Sequence, residues 1–310
     1  STQQETLFPY TTLFRSQAIK AGDTEVALVG GMESMTNAPY ALPKARDGYR
    51  MGHGEIRDLM IHDGLWEVYN DYHMGTTGEL VAEHYKISRE EMDQWSVGSH
   101  QRAAAATAEG RFQEEIVPVS IPQRKGDPIV FDKDEGVRAD SSMESLARLK
   151  PVFQKDGVVT AGNSSQLSDG AAAMIVASED AVKAHNLTPL ARITGYSTSG
   201  LDPKWVMMTP VEAVKNLEAK TGLNRQSFDL FEFNEAFATQ ACAIPKELDL
   251  DPSKINVNGG AVALGHPIGC SGARVMVTLL HALKQRNLKT GLASLCLGGA
   301  NGVAMSVELV

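Results

Sequence analysis

The sequence predicts an α/β protein of layered sheets and helices, and three observations lead there. From residue 170 onward, short apolar runs closed by glycine or polar turns alternate with segments of helical period. The chain has 310 residues, 43% hydrophobic and 22% charged, enough for a real core and about two domains. No apolar run nears the roughly 18 residues that a membrane span needs. With 29 Lys and Arg against 38 Asp and Glu, the net charge of −9 excludes a general nucleic-acid surface. A local basic site for a phosphorylated ligand stays open. Three cysteines make no disulfide framework and predict reduced thiols in a cytoplasmic protein.

Taken in order, residues 1–16 fit no element. Residues 6–16 lack helical or strand periodicity, and Pro9 interrupts their one apolar cluster. They have no basic leader, polar threonines in the middle and Arg15 near the end, so they are no signal peptide. The string resembles one reading frame of a common sequencing-adapter oligonucleotide, so 1–16 is expected to be a non-native leader. Residues 17–21 read as a helix end capped by Gly22. Residues 25–29, closed by Gly30 and Gly31, read as a buried strand.

Residues 37–162 are rich in charge, Gly, Pro and Met and poor in strand signals; they are expected to form an inserted subdomain. It carries two amphipathic helices, 76–85 and 88–109, the second opened by a capping box of Ser88 and Glu91. Beyond it, strands are expected at 170–177, 192–197, 228–231, 254–257, 293–296 and 302–308. Helices are expected at 179–185, at 210–220 with Pro210 in first position, at 235–248 and at 271–286.

Three clusters in the last third have the residue types for chemistry. Asn234-Glu235-Ala236-Phe237 lies at a strand-to-helix junction, where an Asn serves equally well as a cap. Residues 256–272 are Gly-rich, letting backbone approach a ligand, and hold His266 between Gly265 and Pro267 just before a helix. Residues 294–302 end an apolar strand in Cys296, and the glycines that follow can turn N–H groups toward an oxyanion. Cys242 reads as a small core residue within a helix. Cys270 lies near a helix N-terminus, but its small neighbours favour packing. On residue types alone, a cysteine hydrolase with a Cys-His-Asn triad also fits.

These segments resemble the thiolase family. NGGAVALGHPIGCSG (258–272) and GLASLCLGGANGVA (291–304) are similar to its two C-terminal signatures. GGMESM (30–35), YHMGTT (72–77), TAGNSSQLSDGAAA (160–173) and NEAF (234–237) match in the family's order, so the resemblance spans essentially 17–310. It implies a thiolase-like fold of two duplicated layered α/β halves, each with a mixed five-stranded sheet, and a loop domain inserted in the first. Residues 17–36 and 163–185 are then an incomplete first half with apolar surface left open, 37–162 the CoA-binding loop domain, and 186–310 the second half. The implied activity is the reversible condensation of two acetyl-CoA to acetoacetyl-CoA and CoA, as in the short-chain, biosynthetic branch. A degradative 3-ketoacyl-CoA thiolase is the near alternative, and a cysteine hydrolase or an inactive CoA-binding module the distant ones. Coenzyme A thioesters are the substrates, with no further cofactor, metal, nucleic acid or membrane; the full-length homologue is expected to be a dimer or tetramer.

By position, the resemblance implies that His266 activates the acyl-accepting cysteine and stays beside the thioester oxygen. Cys296 moves a proton at the methyl of the second acetyl-CoA. Asn234, holding a water, joins His266 in one oxyanion hole, and the Gly298 N–H belongs to the other. His73 and Met74 match the substrate-side loop, and Arg138 and Ser165 match positions that hold the adenine and pantetheine parts of CoA. His73 alone also reads, less readily, as a satisfied loop histidine. The acyl-accepting cysteine is implied N-terminal to Gly30, yet no cysteine precedes Cys242. Together with the leader, this gives the expectation of an N-terminally truncated chain without thiolase turnover.

Overall fold

The computed structural model describes residues 9–310. Helix α1 (Pro9–Ala21) is followed by strand β1 (Val26–Ser34). The long insertion holds three short strand pairs: β2 (Tyr40–Ala41) with β3 (Arg57–Asp58), β4 (Trp66–Glu67) with β5 (Tyr72–His73), and β6 (Val119–Ile121) with β7 (Ile129–Phe131). Its helices are α2 (Met74–Tyr85), α3 (Arg89–Ala108) and α4 (Met143–Ala147). Strand β8 (Asp169–Ala177) then returns to pair antiparallel with β1, from Val26 opposite Ala177 to Ser34 opposite Asp169.

The remainder runs α5 (Glu179–Ala184), β9 (Ala191–Gly200), α6 (Thr209–Thr221), β10 (Leu230–Phe233), α7 (Ala238–Leu248), α8 (Ala261–Leu264), α9 (Ile268–Gln285), β11 (Thr290–Leu297) and β12 (Asn301–Leu309). Its sheet has the order β10-β11-β12-β9, with β10 and β11 parallel and the other pairs antiparallel. The fifth strand expected at 254–257 is reduced to one parallel bridge between Ile255 and Phe231. The cause is Asn256, whose φ of +47° turns the chain away. Its side-chain amide takes over the pairing, accepting from the Phe233 N–H at 2.9 Å and donating to the Phe233 carbonyl at 2.8 Å.

Local chemistry explains where elements begin. Helix α3 has the expected capping box: Ser88 Oγ accepts from the Glu91 N–H, and the Glu91 carboxylate accepts from the Ser88 N–H. Strand β1 runs on through Gly30 and Gly31 instead of stopping there. A Cβ on Gly30 would stand 2.7 Å from the Ala172 carbonyl, so glycine permits this close approach of β1 and β8. Helix α9 starts at Ile268, three residues early, with Pro267 as its N-cap residue. Helix α7 starts at Ala238, and Asn234 does not cap it.

Residues 9–16 correct the reading of an irregular leader: they are helical, and Pro9 stands at the helix start, where its missing N–H costs nothing. Residues 1–8 of that expected leader lie outside the described residues. Leu13, 2% exposed, joins Val275, Met276, Leu279 and Met305 in the core under the second sheet. Leu13→Ala is therefore expected to cost about 2–3 kcal/mol, at the low end for a buried leucine. A urea midpoint unchanged by the substitution would mean that α1 is an appendage. The outer face of the β1–β8 pair is open, with Leu28, Met32 and Ile175 each more than two-thirds exposed.

Candidate functional site

Phe233 and Ser294 are register partners in the parallel pair, so β10 and β11 end on the same edge of the sheet. Ligands of α/β sheets bind off the C-terminal ends of parallel strands. Asn234 leaves β10 at this edge, its N–H donating to the Ser294 carbonyl at 3.1 Å. Cys296 lies two residues beyond Ser294, before the turn through Gly298, Gly299 and Ala300 into β12. Gly298 is exposed at the start of that turn.

His266 reaches the edge from the link between α8 and α9. Gly265 turns that link at φ +91°, where a side chain would collide with the Ser168 hydroxyl. The His266 N–H donates to the Gln166 carbonyl at 3.2 Å. On its ring, Nε2 is 3.2 Å from Asn234 Nδ2 and Nδ1 is 2.5 Å from Ser271 Oγ. Ser271 donates its one proton to the Pro267 carbonyl at 2.9 Å, so it accepts from Nδ1–H. That leaves Nε2 unprotonated and accepting from the Asn234 amide. Burial, helped by the Arg274 charge, pushes His266 down to about 4. The neutral imidazole therefore offers a lone pair at neutral pH.

Cys296 is half-buried, and burial pushes its thiol up to about 11. Cys242 and Cys270 are buried in α7 and α9, and burial raises them to about 12 and about 11. Both fit the packing roles expected of them.

Sequence reasoning missed the residue that assembles this edge. Glu235, fully buried, accepts from Trp95 Nε1, Ser99 Oγ, Asn256 Nδ2 and the Val262 N–H at 2.8–3.1 Å. One carboxylate thus ties α3, the turn at Asn256 and the start of α8 to the loop that carries Asn234. A Cβ on Gly260 would run into it, which accounts for a glycine there. The only sequence signal was a Glu beside Asn234; its partners lie 21 to 140 residues away.

The expected substrate-side residues are placed unevenly. Ser165 donates its N–H to the Ala236 carbonyl at 3.1 Å, next to Asn234. Met74 and Cys296 pack against the same core. His73 stacks on Phe153 at 4.6 Å, and Phe153 meets Phe237 edge-on. His73 Nδ1 also accepts from the Gly75 N–H, capping α2, so the plain structural reading of this histidine has a physical basis. Arg138 is exposed, and its N–H donates to His100 Nδ1 at 3.1 Å. Its loop is tied to the site through Gln166, whose Nε2 is 2.9 Å from the Gly136 carbonyl and 3.1 Å from those of Val262 and Ala263. Among the described residues, no group of three His, Cys, Asp or Glu could hold a metal ion, and no helix is long and apolar enough to cross a membrane.

Comparison with known proteins identifies the family. The family model for the thiolase N-terminal domain matches residues 13–180, and that for the thiolase C-terminal domain matches 187–309. An acetyl-CoA acetyltransferase of Cupriavidus necator is 53% identical over 296 residues, which is 96% of this chain and 75% of that protein. One of Pseudomonas aeruginosa is 52% identical over 94% of this chain and 74% of its own length. Among solved structures, the Bacillus anthracis acetyl-CoA acetyltransferase superposes with a TM-score of 0.94 at 46% identity, covering 97% of this chain and 76% of the other. Human mitochondrial 3-ketoacyl-CoA thiolase gives 0.94 at 43%, covering 98% and 77%. These similarities lend no support to the expectations of a truncated chain or of absent turnover. The first family match begins inside the stretch read as a foreign leader and runs past β8 into α5, and the second spans the larger sheet together with Asn234, His266 and Cys296: the chain belongs to the thiolase family.

Proposed function

We propose that this thiolase interconverts two acetyl-CoA with acetoacetyl-CoA and CoA, in the cytoplasm and as a dimer or tetramer, with residues 37–162 binding CoA. The observation that carries the reaction is the sheet edge itself. The thiol at the end of β11, Asn234 leaving the end of β10 and His266 in the entry to α9 are gathered at this one edge, which supports a proton-transfer group and oxyanion donors in a common site.

In condensation, the Cys296 thiolate takes a proton from the methyl carbon of bound acetyl-CoA. The C–H electron pair moves into the thioester carbonyl, and the Gly298 N–H faces the enolate oxygen. The enolate carbon attacks the second acyl carbon, and the charge developing on its oxygen is met by the Asn234 amide that His266 holds. Collapse expels a thiolate, which recovers the proton. In cleavage, the Cys296 thiol donates its proton to the enolate carbon. The resting pair of neutral imidazole and neutral thiol is the starting state for cleavage. The acyl-accepting thiol implied N-terminal to Gly30 has no counterpart among Cys242, Cys270 and Cys296, so these steps are those of the chain's own residues.

Purified protein with acetoacetyl-CoA, followed by the loss of enolate absorbance, tests the reading. Loss that requires added CoA supports it. Loss without CoA means a cysteine hydrolase, and retained CoA binding without any loss means a binding module. Faster thiolysis of long 3-ketoacyl-CoA than of acetoacetyl-CoA would favour the degradative type. Arg138→Ala is expected to raise KM for acetyl-CoA severalfold at unchanged kcat, because a nucleotide contact holds ground and transition states equally. An unchanged KM would remove Arg138 from the site.

A further inference from the structure

Gln166 stands where α8 stops. The last carbonyls of a helix have no N–H from a following turn to bond them. In α8 the Leu264 and Gly265 N–H groups still donate to the Gly260 and Ala261 carbonyls, at 2.8 and 2.9 Å. The next N–H, that of His266, leaves the helix for the Gln166 carbonyl at 3.2 Å, and Pro267 has no N–H to give. The Val262 and Ala263 carbonyls, four residues before these two, face Gln166 Nε2 instead, each at 3.1 Å. The same Nε2 is 2.9 Å from the Gly136 carbonyl. Three carbonyls around one end of a carboxamide can be met only by its NH2 group, which settles how the amide is turned. One residue thus stands in for the missing turn of α8, holds His266 by its backbone and grips the loop two residues before Arg138.

We propose that Gln166 is a positioning residue that couples the Gly136–Arg138 loop to His266. A shift of Gly136 pulls on the amide that closes α8, and Gln166 follows only together with the carbonyl that holds His266. There is little slack on either side. A Cβ on Gly136 would collide with Gln166 Oε1, and one on Gly265 would collide with Ser168 Oγ, which itself donates to the Gln166 carbonyl at 3.0 Å. Occupation of the loop by a nucleotide is thereby felt at the imidazole. The inference rests on the reading that residues 37–162 bind CoA, and its test needs no turnover.

ADP is the probe: it has the adenine and diphosphate of CoA but no pantetheine arm or thioester to touch the His266 ring itself. Calorimetry reads its binding to the intact protein, and nitrogen NMR of histidine-labelled protein reads the ring. In wild type the His266 signals are expected to shift as ADP binds. Gln166→Met and Gln166→Glu keep the length of the side chain and remove its N–H donor. Both are expected to bind ADP as wild type does and to lose the shift at His266. The signals of His84, which packs against Trp205 far along α2, should be the same in all three proteins. ADP binding that leaves His266 unmoved in wild type would overturn the proposal whatever the variants do, and so would a shift that survives in both variants. Altered His84 signals in both variants would make Gln166 a support of the whole fold and overturn it too. A wild type that binds no ADP would overturn the reading of residues 37–162, and the coupling with it.

Discussion

Cys296→Ala is expected to lower the rate of acetoacetyl-CoA formation by about 10²–10⁴, the usual contribution of a positioned acid/base group. That is roughly 3–5 kcal/mol of barrier. The thiol is half-buried at the end of β11, and the role proposed for it is to move a proton at carbon, not to hold the substrate. Binding of acetyl-CoA by titration calorimetry should therefore stay within a fewfold of wild type. A variant that binds weakly but retains its turnover number would assign Cys296 to substrate binding.

Glu235→Ala should be the most damaging substitution for stability. It strands four donors at once, on Trp95, Ser99, Asn256 and Val262, within a fully buried network. The costs of single orphaned groups do not simply add, and a loss on the order of 3–5 kcal/mol is expected, as for breaking a buried charged pair. Urea denaturation reads it. A loss below about 1 kcal/mol would mean that water replaces the carboxylate and that the network does not assemble the site.

What could be read from the sequence was set by how local the responsible chemistry is. The capping box at Ser88 and the Pro210 start of α6 depend on neighbours three or four residues apart, and both appear as expected. The Gly-flanked His266 and the strand-end Cys296 were also legible, because glycine turns beside a reactive residue are themselves local. Pro9 was misread, because a proline that looks like an interruption is well placed at a helix start. Asn234 looked like a cap, but its amide reaches His266, 32 residues on. The Asn256 amide replaces strand backbone, and Glu235 gathers partners from α3. Neither is visible without the fold, since both depend on which distant segments meet.

The central claim is that Cys296, with His266 and Asn234 beside it, moves a proton at the carbon next to a CoA thioester. Proton NMR of acetyl-CoA in D2O tests it most directly, because exchange at the methyl group needs only that step. Wild-type protein is expected to incorporate deuterium faster than buffer. The rate should rise about tenfold per pH unit from 7 to 9, as the fraction of a thiol held near 11 that is ionised does. Cys296→Ala should not exceed the buffer rate. Wild-type exchange no faster than buffer, or exchange that survives in Cys296→Ala, would contradict the account.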